Sequence, residues 1–113
     1  MVDTGLLIKR KWLDKILYDE KRIEIRGTKT KPKRIALIAS REKNRKIYGY
    51  ATIKECISLT KEFVDLNSEQ TGGVKWSDIE YKNVYGWILS DIILEEIPVS
   101  IPTTRGPVIF VKL

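Results

Sequence analysis

The sequence predicts a small α+β domain, mainly β: a closed or nearly closed barrel of five to six short strands with one or two short helices. Three observations point there. Short apolar or alternating runs recur along the 113 residues, separated by turn residues. One segment, Lys11–Asp19, carries the period of an amphipathic helix. No repeat, low-complexity tract or Pro/Gly linker divides the chain, so residues 1–113 read as a single domain.

Taken in order, Thr4–Lys9 holds Leu6, Leu7 and Ile8 and reads as a short buried strand. In Lys11–Asp19, Trp12, Leu13, Ile16 and Leu17 share one face while Lys11, Asp14, Lys15 and Asp19 lie elsewhere. Arg22–Arg26 alternates, with Ile23 and Ile25 on one side and Arg22, Glu24 and Arg26 on the other, the pattern of a half-exposed strand. Gly27–Lys33 is a loop marked by Gly27 and Pro32. Arg34–Ser40 is apolar enough for a central strand, and Arg41–Lys46 is a charged turn. In the strand Ile47–Ile57, Gly49, Ala51 and Ile53 share a face, and small residues there permit close approach by a helix, a backbone or a ligand. Thr60–Leu66 is read as a short helix, Gly72-Gly73 as a turn, and Trp76–Lys82 as a helical turn starting near Ser77 or Asp78. Tyr85–Leu94 and Val108–Leu113 are the last two strands. Pro102 and Gly106-Pro107 bound the loop between them.

Composition narrows the function classes. The chain is 42% apolar and 32% charged, as a folded domain is. No apolar run nears the ~20 residues of a membrane-spanning helix, and Leu6-Leu7-Ile8 is too short for a secretory signal. The single cysteine, Cys56, has no internal disulfide partner. With no histidine, triad hydrolases and histidine-based ribonucleases are excluded, and no zinc site or other cofactor is expected. A reducing, cytoplasmic location is the default. Residues 1–46 hold fifteen Lys/Arg against six Asp/Glu, a balance of +9, whereas residues 47–113 carry −3. One electropositive face suits a polyanion, although a solvated basic face would look the same from charge alone.

Several motifs are similar to those of the ASCH family. Trp12-Leu-Asp-Lys-Ile-Leu17, followed by Glu20-Lys-Arg-Ile-Glu-Ile-Arg-Gly27, resembles its signature of a Trp-bearing helix, a Gly-x-Lys-Thr turn and an Ile/Trp-Glu-Ile-Arg strand. Arg34–Ser40, Gly49-Tyr-Ala-Thr-Ile53 and Tyr85-Gly-Trp-Ile-Leu89 resemble the family's later strands, in the same order, from about Leu6 to Val111. Two positions depart: Asp19 stands where the turn Gly is usual, and Arg22 where the Thr is. The resemblance implies a PUA-like barrel with a cleft between the helix and the barrel mouth. It implies an RNA or single-stranded nucleic-acid partner, or a modified nucleotide. Alternatively it implies a small enzyme, a ribonuclease or an N4-acetylcytidine amidohydrolase working through a Lys/Thr/Glu set.

Lys21, Glu24 and Arg26 head the candidate site. Arg26 can fork onto a phosphate or base edge; Glu24 can accept from an amine or hold Arg26 in place. Spacing alone favours a surface ion pair worth ~0–1 kcal/mol; the resemblance reverses that preference. Thr28, Lys29, Lys31, Lys33 and Arg34 form a basic loop suited to phosphate. Arg41, Lys43, Arg45 and Lys46 read instead as a solvated turn. Among the aromatics, Trp87 is expected to pack, Trp12 to pack or line the cleft, and Trp76 to expose its ring for stacking. If the chain is an enzyme, Lys21 and Glu24 are its candidates. Three residues after Lys21, where the amidohydrolases carry Thr, stands Glu24. Its charge is expected to keep Lys21 protonated. Glu62, Glu69 and Glu80 compete for the remaining carboxylate role, and Thr28 and Thr30 for the hydroxyl.

Overall fold

A computed structural model describes residues 2–101 and 110–113. The strands are β1 (Thr4–Ile8), β2 (Ile23–Arg26), β3 (Lys33–Ala39), β4 (Lys46–Ser58), β5 (Tyr85–Ser100) and β6 (Phe110–Lys112). The helices are α1 (Arg10–Tyr18), α2 (Lys61–Leu66) and α3 (Ser68–Thr71), with a 3-10 turn at Trp76–Asp78. All six strands join one curled, half-barrel sheet in the order β2-β5-β4-β3-β1-β6. β1 and β3 run parallel, which requires a crossover connection, and α1 with β2 supplies it. The other pairings are antiparallel.

β3 sits centrally because it is apolar on both faces. Ile35, Leu37 and Ala39 pack with Leu13 and Ile16 of α1, and with Ile53, Trp87 and Leu89. Ala36 and Ile38 face the other way, onto Leu7, Ile47 and Val111. A third cluster joins Ile23 and Ile25 of β2 to Leu59 and Val64. Gly49 has a physical reason to be Gly: a Cβ there would lie 2.5 Å from the Ile93 carbonyl oxygen and 2.7 Å from Leu17 Cδ2. Both a neighbouring strand and α1 press on that point.

The region read least sharply from sequence is a chain of short devices. Thr60 caps α2, its hydroxyl accepting from the Phe63 N–H at 3.2 Å. Gly72 and Gly73 turn at φ 81° and 83°, the left-handed region that Gly adopts freely. β5 runs on to Ser100, past the Leu94 boundary expected from its pattern. It does so by changing register against β4 and by placing Asp91 at φ 51°. At the end of the chain, β6 realises part of the expected Val108–Leu113 strand; residues 108–109, Pro102 and Gly106-Pro107 lie outside the described residues. Among the described residues no helix is long and apolar enough to cross a membrane.

Candidate nucleic-acid interface

The turn from α1 into β2 builds the floor of a cleft. Asp19 ends the helix at φ −119°, ordinary extended backbone, so its replacement of the expected Gly carries no strain. Arg22 takes over as a cap: its Nη1 donates to the carbonyls of Ile16 (3.1 Å), Asp19 (3.3 Å) and Lys21 (2.9 Å). A cation on the last carbonyls of a helix also suits its dipole. That cap turns Lys21 inward. It is only 1% exposed, and its Nζ donates to the carbonyls of Ile23 and Thr71, each at 2.7 Å. Glu24 Oε1 lies 3.5 Å from the same nitrogen.

β2 is therefore not half-exposed, as its alternation suggests, because Glu24 is buried on the polar side as fully as its isoleucines are on the other. The physical reason is pairing: the Glu24 carboxylate is held between two cations. Arg26 donates to Glu24 Oε2 through Nε (3.0 Å) and Nη2 (2.7 Å), and through Nη2 also to the Leu7 carbonyl (2.9 Å). Arg26 is thus mostly buried, not displayed on an exposed face, and much of its fork is spent on Glu24. Burial pushes the Lys21 ammonium below its usual pKa. Glu24 pulls it up, Arg26 and Lys15 push it down, and the net direction is down. Glu24 favours the ammonium, as its charge leads one to expect, but desolvation outweighs the single carboxylate.

Above this floor lies a cleft of about 960 Å³. Trp12 lines it, with Lys11 Nζ 4.6 Å and Lys21 Nζ 5.1 Å from its ring centroid. Lys9 and Lys11 stand at one rim, Arg41 and Arg45 at another, and Lys75 with Asp78, Glu80 and Tyr81 at a third. Counting the described residues that line it, seven side chains are basic and three acidic. Of the sequence candidates, the structure brings Trp12, Lys21, Glu24 and Arg26 together there. The basic loop lies outside that lining. The Thr28 carbonyl accepts from Trp87 Nε1 at 2.9 Å, and Lys33 Nζ stands 4.3 Å from the Phe110 ring centroid. Arg34 donates to Thr52 Oγ1 (2.9 Å) and the Asp91 carbonyl (2.6 Å), and Lys31 is exposed.

Arg41 and Arg45, read from sequence as part of a solvated turn, are the reverse case: both line the cleft. Only the three-dimensional return of β3 into β4 sets that turn opposite α1, so no local pattern signals it. Lys75, Asp78 and Tyr81 were likewise unmarked. Trp87 is buried as expected, stacked on Phe110 with centroids 5.5 Å apart. Trp76 is half-buried instead of freely exposed, since it packs onto the cluster around Ile23 and Leu59. Of the acid candidates Glu80 lines the cleft, and Glu62 and Glu69 do not. The threonine nearest Lys21 is Thr71, which offers its carbonyl and turns its hydroxyl to Ser68 O at 3.1 Å. Among the described residues no group of three His, Cys, Asp or Glu side chains is placed to hold a metal ion.

With this geometry in hand, the chain can be set beside known proteins. Neither a scan against protein-family models nor a search of curated proteins finds a match. Solved structures do match. The ASCH protein of Zymomonas mobilis superposes with a TM-score of 0.73 over 97% of this chain and 86% of its own, at 13% identity. This chain has the ASCH fold. A variant of the Zymomonas protein carrying a Tyr-to-Phe substitution gives 0.68 over 100% of this chain and 91% of its own. One carrying Ser-to-Ala gives 0.67 over 97% and 87%, and both are 13% identical. The cleft described above is lined by the start of α1, the turn into β2, β2 itself, the β3–β4 turn and the segment from Gly73 to Tyr81.

Proposed function

We propose that this ASCH-fold chain is a nucleic-acid-binding module that holds RNA, or a modified nucleotide, in the cleft above Lys21, Glu24 and Arg26. The convergence of five rim cations, Lys9, Lys11, Arg41, Arg45 and Lys75, on one cleft carries the reading. Phosphate contacts supply most of the affinity in such complexes, and exposed Lys and Arg make them. Trp12 offers a ring against which a base can stack; Lys11, poised over it, is exposed and displaced at a cost of only ~0.5–1 kcal/mol. The PUA-like architecture supports the same reading at the level of fold alone.

The second reading is an enzyme acting on nucleosides or RNA, and the depressed pKa of Lys21 favours it. Against it, the Lys21 ammonium already points at two carbonyls and Glu24, so no N–H is left for a substrate. Two measurements separate the readings. Charge reversal of Lys9, Lys11 and Arg41 together should weaken binding of a single-stranded RNA hexamer at least tenfold. Equal affinity in that variant would remove the cleft as the site. Incubation with N4-acetylcytidine should release little or no cytidine; robust release abolished by Lys21→Ala would replace the binding module with the enzyme.

A further inference from the structure

A second, smaller cavity of about 350 Å³ adjoins the cleft. Ile79 and Tyr81 line both, so the two are separated by a shared wall. Tyr81 is 49% exposed, and its ring lies against Gly27: a Cβ at Gly27 would meet Tyr81 Cδ1 at 2.7 Å and Cγ at 2.9 Å. The missing side chain thus seats the ring as a ridge. Beyond it, the smaller cavity is rich in rings and neutral polar groups, with Trp76 and Tyr85 beside Ser58 and Asn83. Its volume is at the low end of the roughly 300–1,000 Å³ of small-molecule pockets, room for a group the size of one nucleobase. Lys82 lines it. Lys29, from the basic loop that bypasses the main cleft, brings its Nζ to 5.8 Å from the Tyr85 ring centroid.

Resting on the reading that the cleft takes nucleic acid, we propose that the ligand is a single strand, not a lone nucleotide. The strand crosses the Tyr81 ridge and places a further base in the smaller cavity. The chemistry on the two sides differs as a strand requires. The cleft gathers cations for phosphates; the cavity gathers aromatic faces and an amide for a base, with one or two cations at its edge for the next phosphate. This arrangement gives the basic loop a role that its distance from the cleft would otherwise deny it. Base–aromatic stacking tolerates sequence, so the cavity adds affinity more than discrimination.

The test compares ligands by length. Uridine 5′-monophosphate and a uridine hexanucleotide are titrated calorimetrically, at low salt, into wild type, Tyr81→Ala, Tyr81→Phe and Lys29→Ala/Lys82→Ala. The hexamer should bind wild type at least tenfold tighter than the mononucleotide. Tyr81→Ala and the double lysine variant should each weaken the hexamer at least fivefold more than the mononucleotide, and Tyr81→Phe should restore most of that difference. Tyr81 is exposed, so these changes do not test the core. Equal affinity for both lengths, or equal losses for both in Tyr81→Ala, would overturn the strand path while leaving cleft binding intact. Failure of both ligands to bind any form would overturn the cleft reading, and this inference with it.

Discussion

At the scale of single residues, the buried Lys21–Glu24–Arg26 group ties stability to the site. Glu24 is almost fully buried, and Arg26 makes three hydrogen bonds, two of them to Glu24. Removing one partner of such a pair leaves a charge stranded away from water. Arg26→Ala should therefore cost roughly 3–5 kcal/mol in a urea melt. Arg26→Lys keeps the charge but not the fork, and should fall between Arg26→Ala and wild type. A surface arginine would show neither loss; wild-type stability in Arg26→Ala would mean that the pair is solvated. Lys21 makes a different prediction, in pH. Its pKa in the folded state is lowered, chiefly by desolvation, from 10.5. Between the lowered value and the ordinary one, the unfolded chain binds the extra proton. Folding therefore gains stability as pH rises through that window and loses it as pH falls through the folded pKa. Measured as pH rises toward 10.5, the stability difference between wild type and Lys21→Met should shift toward wild type. A difference that is flat or moves the other way would mean that the ammonium is not desolvated.

At the scale of elements, Gly49 makes the sharpest test. A Cβ there meets a backbone carbonyl oxygen at 2.5 Å, and backbone yields less readily than a side-chain tip. Gly49→Ala should cost about 1–3 kcal/mol through overpacking, read as a lowered urea midpoint with an unchanged slope. The importance of Gly49 was legible from its place beside Ala51 and Ile53 on one strand face; what pressed on it was not, because Leu17 and Ile93 come from elsewhere in the chain. The same division runs through the other elements. β1, α1 and β3 were legible because their apolar residues keep one period or one unbroken run. β2 kept its period yet misled, since alternation reports which residues share a face and says nothing of whether that face is covered. Glu24 became buried only because Lys21 and Arg26 neutralise it. β5 was read short because Glu95, Glu96 and Pro98, poor strand residues, follow Leu94, while pairing with β4 carries the strand on to Ser100. In the site, the floor residues were legible as one local motif, whereas Lys9, Arg41, Arg45 and Lys75 are brought to the rim by three separate segments.

At the scale of the whole molecule, the +9 balance of residues 1–46 resolves into a place. Six of the seven cleft cations come from that half, and Lys75 is the exception. If the five rim cations Lys9, Lys11, Arg41, Arg45 and Lys75 each meet a phosphate, log K for a single strand should fall by about 3 to 4 per tenfold rise in salt. Charge reversal at the rim should flatten that slope more than alanine at Lys31 and Lys33, which lie outside the cleft. Affinity indifferent to salt would contradict an electrostatic cleft. The sheet order holds one more consequence, which concerns the folding of the chain. Thr4 pairs with Lys112 and Leu6 with Phe110, so β1 gains its second neighbour only from the far end of the fold, across every other strand in the sequence. Loop closure over that span is slow compared with local pairing. Until then β1 presents an open edge beside Leu6 and Leu7. A folding chain in which that closure is delayed would hold a sheet complete in every strand but the one that covers β1.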